Sequence, residues 1–544
     1  MRHMATTRGM DKVLTREESF VDGKLTHTAF VSLAILTFIT FVGNFTQLQL
    51  SAALPSIVNE FGINVTTGQW LTSVFQLVMG VMVPLTAFLT RRFSTRQIVI
   101  VSMAVFTLGS VCAWLAPSFL VLLLGRVLEA IGTGVMWPVL QITVFSIYPL
   151  SRRGAAMGMV GIAMSVAPAI GPTLGGLQTD ANGWRSMFLT LTVIGVVSLI
   201  AACLWLHDFG ENDPSARADF FSVALSIFGF GGLMFGFTNI ENYPFASPMV
   251  WGAMLVGVIG IIWFVVRQIR RAHIYKEYAK EYAARHAAGD DAADPASAGP
   301  ANKSPEPPLL DLGVLRNRSF TVGTVTASLA FFAFSSILVI MPLYIQNDRG
   351  FSATMSGLIM LPGAIGQCIS QLFGGKALDR FGARPVALFG AIVLTVGTVG
   401  MSLISSDTWI WWVSICQFVR QIGMGSLLMP ITTWSLNCLE PDEISAGSSV
   451  TNTVRQVAGA MGAPILVILM ETFTAVRHAA GFDAVSANIF GIQWALRFSA
   501  CLVLVMVALV LFGVKGAGAG STRDVTQRAL ARARAQRDAS RSSK

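Results

Sequence analysis

Continuously apolar stretches of about 20 residues recur along the whole chain, and nothing else limits its fold so strongly. They run from "TAFVSLAILTFITFVGNFTQLQL" near one end to "SACLVLVMVALVLFG" near the other. As a helix rising 1.5 Å per residue, such a stretch crosses the ~30 Å hydrocarbon core of a bilayer. Barrel strands would alternate apolar and polar residues over about ten positions, and these runs do not alternate. Only 12% of the 544 residues are charged and 53% are hydrophobic, against about 25% charged in a soluble domain. The expectation is an all-α integral membrane protein with 14 transmembrane helices.

The spans are read at 28–50, 70–90, 97–116, 119–141, 154–177, 186–206, 220–240, 249–268, 319–345, 354–375, 385–404, 408–433, 446–471 and 493–514. An even number puts both termini on one side, and Lys and Arg choose the side. The outer loops would hold only Arg185, Arg349 and Arg477, while Arg126, Arg420, Arg455 and Arg497 lie in spans. The rest of the 38 Lys and Arg fall on the other side, which is therefore read as cytoplasmic. The net charge of +9 is thus a topology signal and not a sign of nucleic acid. Residues 1–26 are polar, so no signal peptide is expected. The six cysteines form no CxxC, and all six histidines lie outside the spans, which leaves no metal or haem ligands at depth.

One long break divides the chain. A basic segment, "RQIRRAHIYKEYAKEYAARHAA", is expected to extend the eighth helix, followed by "GDDAADPASAGPANKSPEPP", which cannot bury enough apolar surface to fold. The two sides echo each other. "FLTRRFSTRQ" and "GGKALDRFGARP" both join two spans through short Arg-studded turns, and "GRVLEAIGTG" matches "CQFVRQIGMG". Superposing the glycines sets Arg126 opposite Gln417 and Glu129 opposite Arg420. Duplicated halves are the architecture of many secondary transporters. The expected layout is an N-tail (1–27), a six-helix bundle (28–206), two inserted helices (220–268), a basic helix and linker (269–318), a second six-helix bundle (319–514) and a basic tail (515–544).

At this point the residues resemble a known family. "GGKALDRFGARP" is similar to the signature loop of the major facilitator superfamily, with Gly375, Asp379, Arg380, Gly382 and Arg384 in place. "LLLGRVLEAIGTG" resembles its Arg-containing fourth-span motif, and "GIAMSVAPAIGPTLGG" the antiporter motif of span five. "NGWRSMF", "TGQWLTSVF" and "TVRQVAGAMG" also fit its fourteen-span drug:proton antiporter branch, nearest the lincomycin-efflux-type exporters. The resemblance implies two pseudo-symmetric six-helix bundles plus two inserted helices. It also implies proton-coupled, alternating-access multidrug efflux across the bacterial cytoplasmic (inner) membrane, by a monomer with both termini inside. The chain departs from the pattern at Arg91, where the family has Asp, and at Ser94, where it has Gly. Thr46 stands where span one commonly carries Asp, and Glu129 where span four often carries Gln.

An ionisable residue near the bilayer centre costs roughly 2.5–3.5 kcal/mol on insertion scales, so each is a functional candidate. Span four entered near Ser118 puts Glu129 about 16 Å down, with Arg126 one turn above on the same face. Burial favours the neutral carboxyl and a neighbouring guanidinium favours the carboxylate. Moving Arg126 would therefore change proton affinity, and the pair is read as the proton-coupling site. The competing reading is structural: Glu129 merely neutralises Arg126, or reaches Arg455 or Arg420. Thr40, Asn44, Gln47 and Ser51 share one face of span one and either line the path or join helices. Asn44, Gln47, Trp137, Met341, Tyr344, Arg420 and Arg455 are the candidate substrate-cavity residues.

"APAIGPTLGG" carries two ordered rows. Ala163, Ala167, Gly171 and Gly175 stand four apart, a smooth row that lets another backbone approach. Pro168 and Pro172 stand in the neighbouring row and bend the helix. With Gly176 they are read as a hinge and seal against the other half.

No GxxxxGK[ST], HExxH or GxSxG occurs, so neither nucleotide hydrolysis nor an enzyme of these types is expected. The function expected is proton-driven export of amphipathic or cationic organic molecules, with no cofactor beyond the proton gradient. A lipid or glycolipid flippase of the same fold is the alternative, and a non-transporting membrane scaffold or sensor a minor one.

Overall fold

The computed structural model describes residues 16–514 apart from 22–23, 64, 150–151, 210–218, 240–242, 244–246, 288–307, 309, 352 and 441–442. Some side chains inside helices, those of Ser51, Pro168 and Pro172 among them, also lie outside the described set. The readings of the N-tail through residue 15, the Asp-, Ala- and Pro-rich linker and the basic C-tail fall outside it too.

An apolar chain that meets lipid must satisfy its backbone within each segment, and long helices do this. The first bundle comprises α1 (His27–Phe61), α2 (Val65–Arg92) and α3 (Thr95–Trp114). It continues with α4 (Phe119–Gly134, then Met136–Ile147), α5 (Arg153–Asn182) and α6 (Arg185–Trp205). The inserted pair is α7 (Phe220–Ser226, a π-turn Ile227–Gly231, then Gly232–Asn239) and α8 (Pro248–Ala287). The second bundle has α9 (Arg318–Leu343, running on as a π-turn Tyr344–Asp348), α10 (Ala353–Phe381) and α11 (Ala383–Met401). It closes with α12 (Ile410–Asn437), α13 (Ile444–Ala479) and α14 (Ala484–Gly513). A two-residue antiparallel ladder pairs Phe20–Val21 with Lys24–Leu25 ahead of α1.

Among the described residues ten helices are long and apolar enough to cross a membrane, and α2, α5 and α7 hold shorter apolar stretches. The remaining helix, α12, carries Gln417, Arg420 and Gln421, yet every residue from Gly423 to Leu436 is buried. Its polarity is tolerated because it faces protein and not lipid. Large apolar side chains such as Val197, Ile200, Leu255, Ile262 and Trp263 stand exposed on α6 and α8, as a lipid-facing surface requires. The break in α4 after Gly134 falls four residues before Pro138, which has no N–H to give to the Gly134 carbonyl.

The duplication is visible in packing. A Cβ on Gly109 of α3 would lie 2.7 Å from the Glu129 nitrogen of α4. A Cβ on Gly397 of α11 would lie 2.6 Å from the Arg420 nitrogen of α12. Gly132 likewise meets Ser102 and Phe106, and Gly423 meets Gly390 and Leu394 at the same spacing. Glu129 and Arg420 therefore occupy equivalent places in the two bundles. α7 and α8 cross where Gly229 meets Gly260 and Gly232 meets Gly257. Asp219, just ahead of α7, receives Arg267 of α8 in a two-bond fork of 3.1 Å each. Arg271 adds a third contact at 3.1 Å. Burial alone would raise the Asp219 carboxyl, but hydrogen bonds from Arg267 and Ser222, with Arg271 nearby, bring it below the ordinary aspartate range.

The two signature turns are built differently. Gly382 has φ +86, a conformation that a Cβ disfavours, and α11 starts directly after it. Ser94 has φ −68, and its hydroxyl accepts from the Gln97 N–H while the Gln97 side chain accepts from the Ser94 N–H. The Gly-to-Ser departure thus replaces a glycine turn by a capping box.

Candidate functional site: a buried ion pair and the contacts between bundles

Glu129 and Arg126 sit one helical turn apart on α4, and both are sealed, at 0% and 1% exposure. Arg126 Nη1 donates to Glu129 Oε2 at 2.7 Å. Ser110 of α3 donates its hydroxyl to Glu129 Oε1 at 2.8 Å. The guanidinium lies 4.3 Å above the Phe75 ring of α2. It also donates to the Thr46 carbonyl of α1 and the Leu71 carbonyl of α2, each at 3.4 Å. Among the described residues Arg126 Nη2 has no partner. The pair is thus surrounded by α1, α2 and α3, and Glu129 is bonded to Arg126 and Ser110, not to Arg420 or Arg455. Where the family pattern has an Asp in span one, Thr46 offers only its backbone oxygen. Ser110 and Phe75 carry no sequence signal, since a serine and a phenylalanine in apolar spans fit simple packing equally well.

A second group of contacts joins the bundles on the side that carries the signature turns. Asp379, near the end of α10, accepts from the N–H groups of Gly154 (3.0 Å) and Ala155 (2.8 Å) in the first turn of α5. A carboxylate there satisfies two otherwise unpaired donors and faces the positive end of the helix dipole. Its hydrogen bonds go to this helix terminus, and Arg152, just ahead of α5, is close enough to act on its charge. Gly375, one turn before Asp379, lies against the backbone of Gly154 and Gly158. Deeper in, Ser165 donates to Gln371 at 2.8 Å. Arg380 is exposed beside Phe381 and Arg384 donates to the Leu511 carbonyl at 2.9 Å, so neither crosses between bundles.

The same side is closed again between α4 and α13. Trp137 donates its indole N–H to Asn452 at 2.9 Å. Gln141 accepts from Ser448 at 2.6 Å and from Asn452 at 2.9 Å. Sequence reasoning named Trp137 and missed Gln141, Ser448 and Asn452. A single polar residue in an apolar span was the available signal, but its partner lies about 300 positions away.

The remaining candidates divide. Gly171 and Gly175 face α1 of their own bundle: a Cβ on Gly171 would lie 3.2 Å from Leu48 Cβ, and one on Gly175 would run into the Gln49 carbonyl. The seal against the other half is made lower down, at Gly154, Gly158 and Ser165. Gly176 is half-buried, and the Pro168 and Pro172 side chains are outside the described set. Asn44 donates to the Thr40 carbonyl of its own helix at 3.0 Å, and Gln47 is half-buried. Met341 and Tyr344 are fully buried in the core of the second bundle. The Tyr344 hydroxyl donates to the Ser405 carbonyl at 2.7 Å. Arg420 donates to the Ala333 carbonyl of α9 at 2.5 Å. Arg455 of α13 lies between the rings of Trp137 and Phe331. Among the described residues no cluster of three or more His, Cys, Asp or Glu could hold a metal ion.

Two pseudo-equivalent helical bundles, meeting along a polar seam with a buried ion pair in one of them, define a polytopic membrane transporter. The family model described as Major Facilitator Superfamily matches residues 33–463. The chain belongs to that superfamily. It is 33% identical to the MFS-type transporter YcnB of Bacillus subtilis (strain 168), over 87% of this chain and 93% of that protein. It is 29% identical to the lincomycin resistance protein LmrB of Listeria monocytogenes, over 87% and 94%. The crystal structure of the human organic anion transporter MFSD10 (TETRAN) shares the fold, with a TM-score of 0.59 at 12% identity over 88% of this chain and 99% of that one.

Proposed function

We propose that the protein is a proton-driven exporter of amphipathic organic molecules, working by alternating access in a bacterial cytoplasmic membrane with both termini inside. The observation that carries this reading is the sealed Glu129–Arg126 pair, set against α1, α2 and α3 so that any rearrangement of these helices changes its surroundings. Glu129 is the coupling carboxylate. It takes a proton from the outer side when Arg126 and Ser110 move off it while the cytoplasmic contacts are closed, releases it inward once those contacts open, and is held ionised by Arg126 and Ser110 before the next uptake. Arg126 stabilises the ionised form and Ser110 holds one carboxyl oxygen in place. Similarity to a lincomycin resistance protein supports efflux of bulky organic compounds.

The signature turns lie on the Arg-rich, cytoplasmic side. The contacts of Asp379 with α5, Gln371 with Ser165, and Trp137 and Gln141 with α13 then form the cytoplasmic gate, closed here. Export requires this gate to open, and the buried hydrogen bonds set the cost of opening. The test is transport in proteoliposomes with an imposed pH gradient. Wild type should move substrate against its gradient, and Glu129→Gln should lose that while still equilibrating substrate. A Glu129→Gln protein that concentrates substrate as wild type does removes Glu129 from coupling.

A further inference from the structure

Among the described residues the buried charged side chains are Arg126, Glu129, Arg153, Asp219, Arg420 and Arg455. Glu129 answers Arg126, and Asp219 is answered by Arg267 and Arg271. Arg153 gives its donors to Tyr148, Phe145 and Asn437. Of these, Arg420 and Arg455 make no ion pair among the described residues and keep buried nitrogens without partners, Nε and Nη1 of Arg420 and Nε of Arg455. Arg420 lies inside its own bundle, where it donates to the Ala333 carbonyl, whereas Arg455, 7% exposed, lies against rings of both bundles.

What holds Arg455 is a pair of rings from different bundles. Its guanidinium carbon lies 5.5 Å from the Trp137 ring of α4 and 5.3 Å from the Phe331 ring of α9. Aromatic faces attract a guanidinium through their quadrupoles, but they accept nothing from its in-plane N–H edge. That edge is a rigid fork matched to carboxylate, sulfate and phosphate oxygens. A guanidinium stays charged at any physiological pH, and a buried charge without a counter-ion is costly. Among the described residues no carboxylate pairs with Arg455.

The surroundings add a second unused donor. Gln141 gives its oxygen to Ser448 and Asn452, while its Nε2 is buried without a partner. Trp137, which donates to Asn452, ties Gln141 and Arg455 into one interlocked group. Arg455 follows Asn452 by three residues on α13 and so lies one turn farther from the signature turns. It sits at the junction of the bundles, on the outer side of the closed contacts.

We infer that this junction binds the anionic headgroup of an amphiphile (a carboxylate, sulfate or phosphate ester), with Arg455 as the anchor and Trp137 and Phe331 as its clamp. The inference deepens the exporter reading by naming the substrate class. It rests on that reading for transport and not for binding.

The test uses the full chain in phosphatidylcholine nanodiscs and two probes of equal chain length, octyl sulfate and octyltrimethylammonium. Octyl sulfate should bind at least tenfold more tightly. Arg455→Gln should erase the preference, and Arg455→Lys should keep part of it. Equal binding of the two probes, or preference for the ammonium, overturns the inference. So does a sulfate preference that survives in Arg455→Gln. If Arg455→Gln does not fold, Trp137→Phe and Arg455→Lys take its place, and wild-type preference still decides. Phosphatidylglycerol in the nanodisc that displaces octyl sulfate from wild type identifies the headgroup as a lipid's. No displacement identifies a free amphiphile, and the site stands in both cases. Anion binding without pH-driven movement in proteoliposomes would refute the exporter reading and leave the site intact.

Discussion

Glu129 Oε2 and Arg126 Nη1 are 2.7 Å apart, with both side chains closed off from solvent. Removing one member leaves an uncompensated buried charge, at roughly 3–5 kcal/mol. Either Glu129→Gln or Arg126→Gln alone should therefore lower thermal stability. The double variant Arg126→Gln/Glu129→Gln should recover much of it and still fail to couple. This separates the two roles that the sequence left open. A double variant with normal pH-driven uptake would make the pair purely structural.

Gly175 lies closer to α1 than Gly171 does. Gly175→Ala should destabilise more than Gly171→Ala, because its Cβ meets the Gln49 backbone, which cannot swing aside. Overpacking of this kind costs roughly 1–3 kcal/mol. Thermal melts of the two variants give the order, and a reversed order would mean that α1 and α5 are not in this close contact.

Asp379 supplies both a charge and two acceptors to the start of α5. Hydrogen bonds to a charged group contribute roughly 1.5–3 kcal/mol each. Asp379→Ala should favour separation of α5 from α10, with Asp379→Asn intermediate. Maleimide labelling of Ser165→Cys in a background without the native cysteines reads this directly. Labelling should quicken in the order wild type, Asn, Ala, and identical rates would rule out a role for Asp379 in closure.

The Asp219 cluster gives a pH dependence of known sign. Its folded carboxyl lies below the ordinary range, so its contribution is complete above the unfolded value of about 4. It is lost as pH falls through the lower folded value. Unfolding followed between about pH 3 and 6 should show a wild-type loss at the acid end that Asp219→Asn lacks. Parallel curves for the two proteins would mean that Arg267 and Arg271 do not hold this carboxylate.

Much of the fold was legible because lipid leaves a chain so few options. Run length marks the helices, and the matched glycines pair Glu129 with Arg420 from the sequence alone. The ion pair was legible too, since three residues on a helix make one turn. Contacts across the bundles were not. Gln141 with Ser448, Asp379 with Gly154, and the turn of the Gly171 row toward α1 depend on how two distant segments meet. Periodicity within a helix says which residues share a face but not which neighbour that face meets. Tyr344 and Met341 show the same limit, since their own helix does not announce that they pack within the second bundle.

The helix α8 runs unbroken for 40 residues, about 60 Å at 1.5 Å per residue. Arg267 marks its level at the start of α7, and the stretch to Ala287 continues about 30 Å farther. A helix of about 60 Å is roughly twice as long as the ~30 Å hydrocarbon core is thick, so about half of α8 has to continue beyond it. A fluorophore fixed near Ala287 would report how far that end stands from the membrane surface: about 30 Å for an upright extension and close to zero for one lying along the lipid.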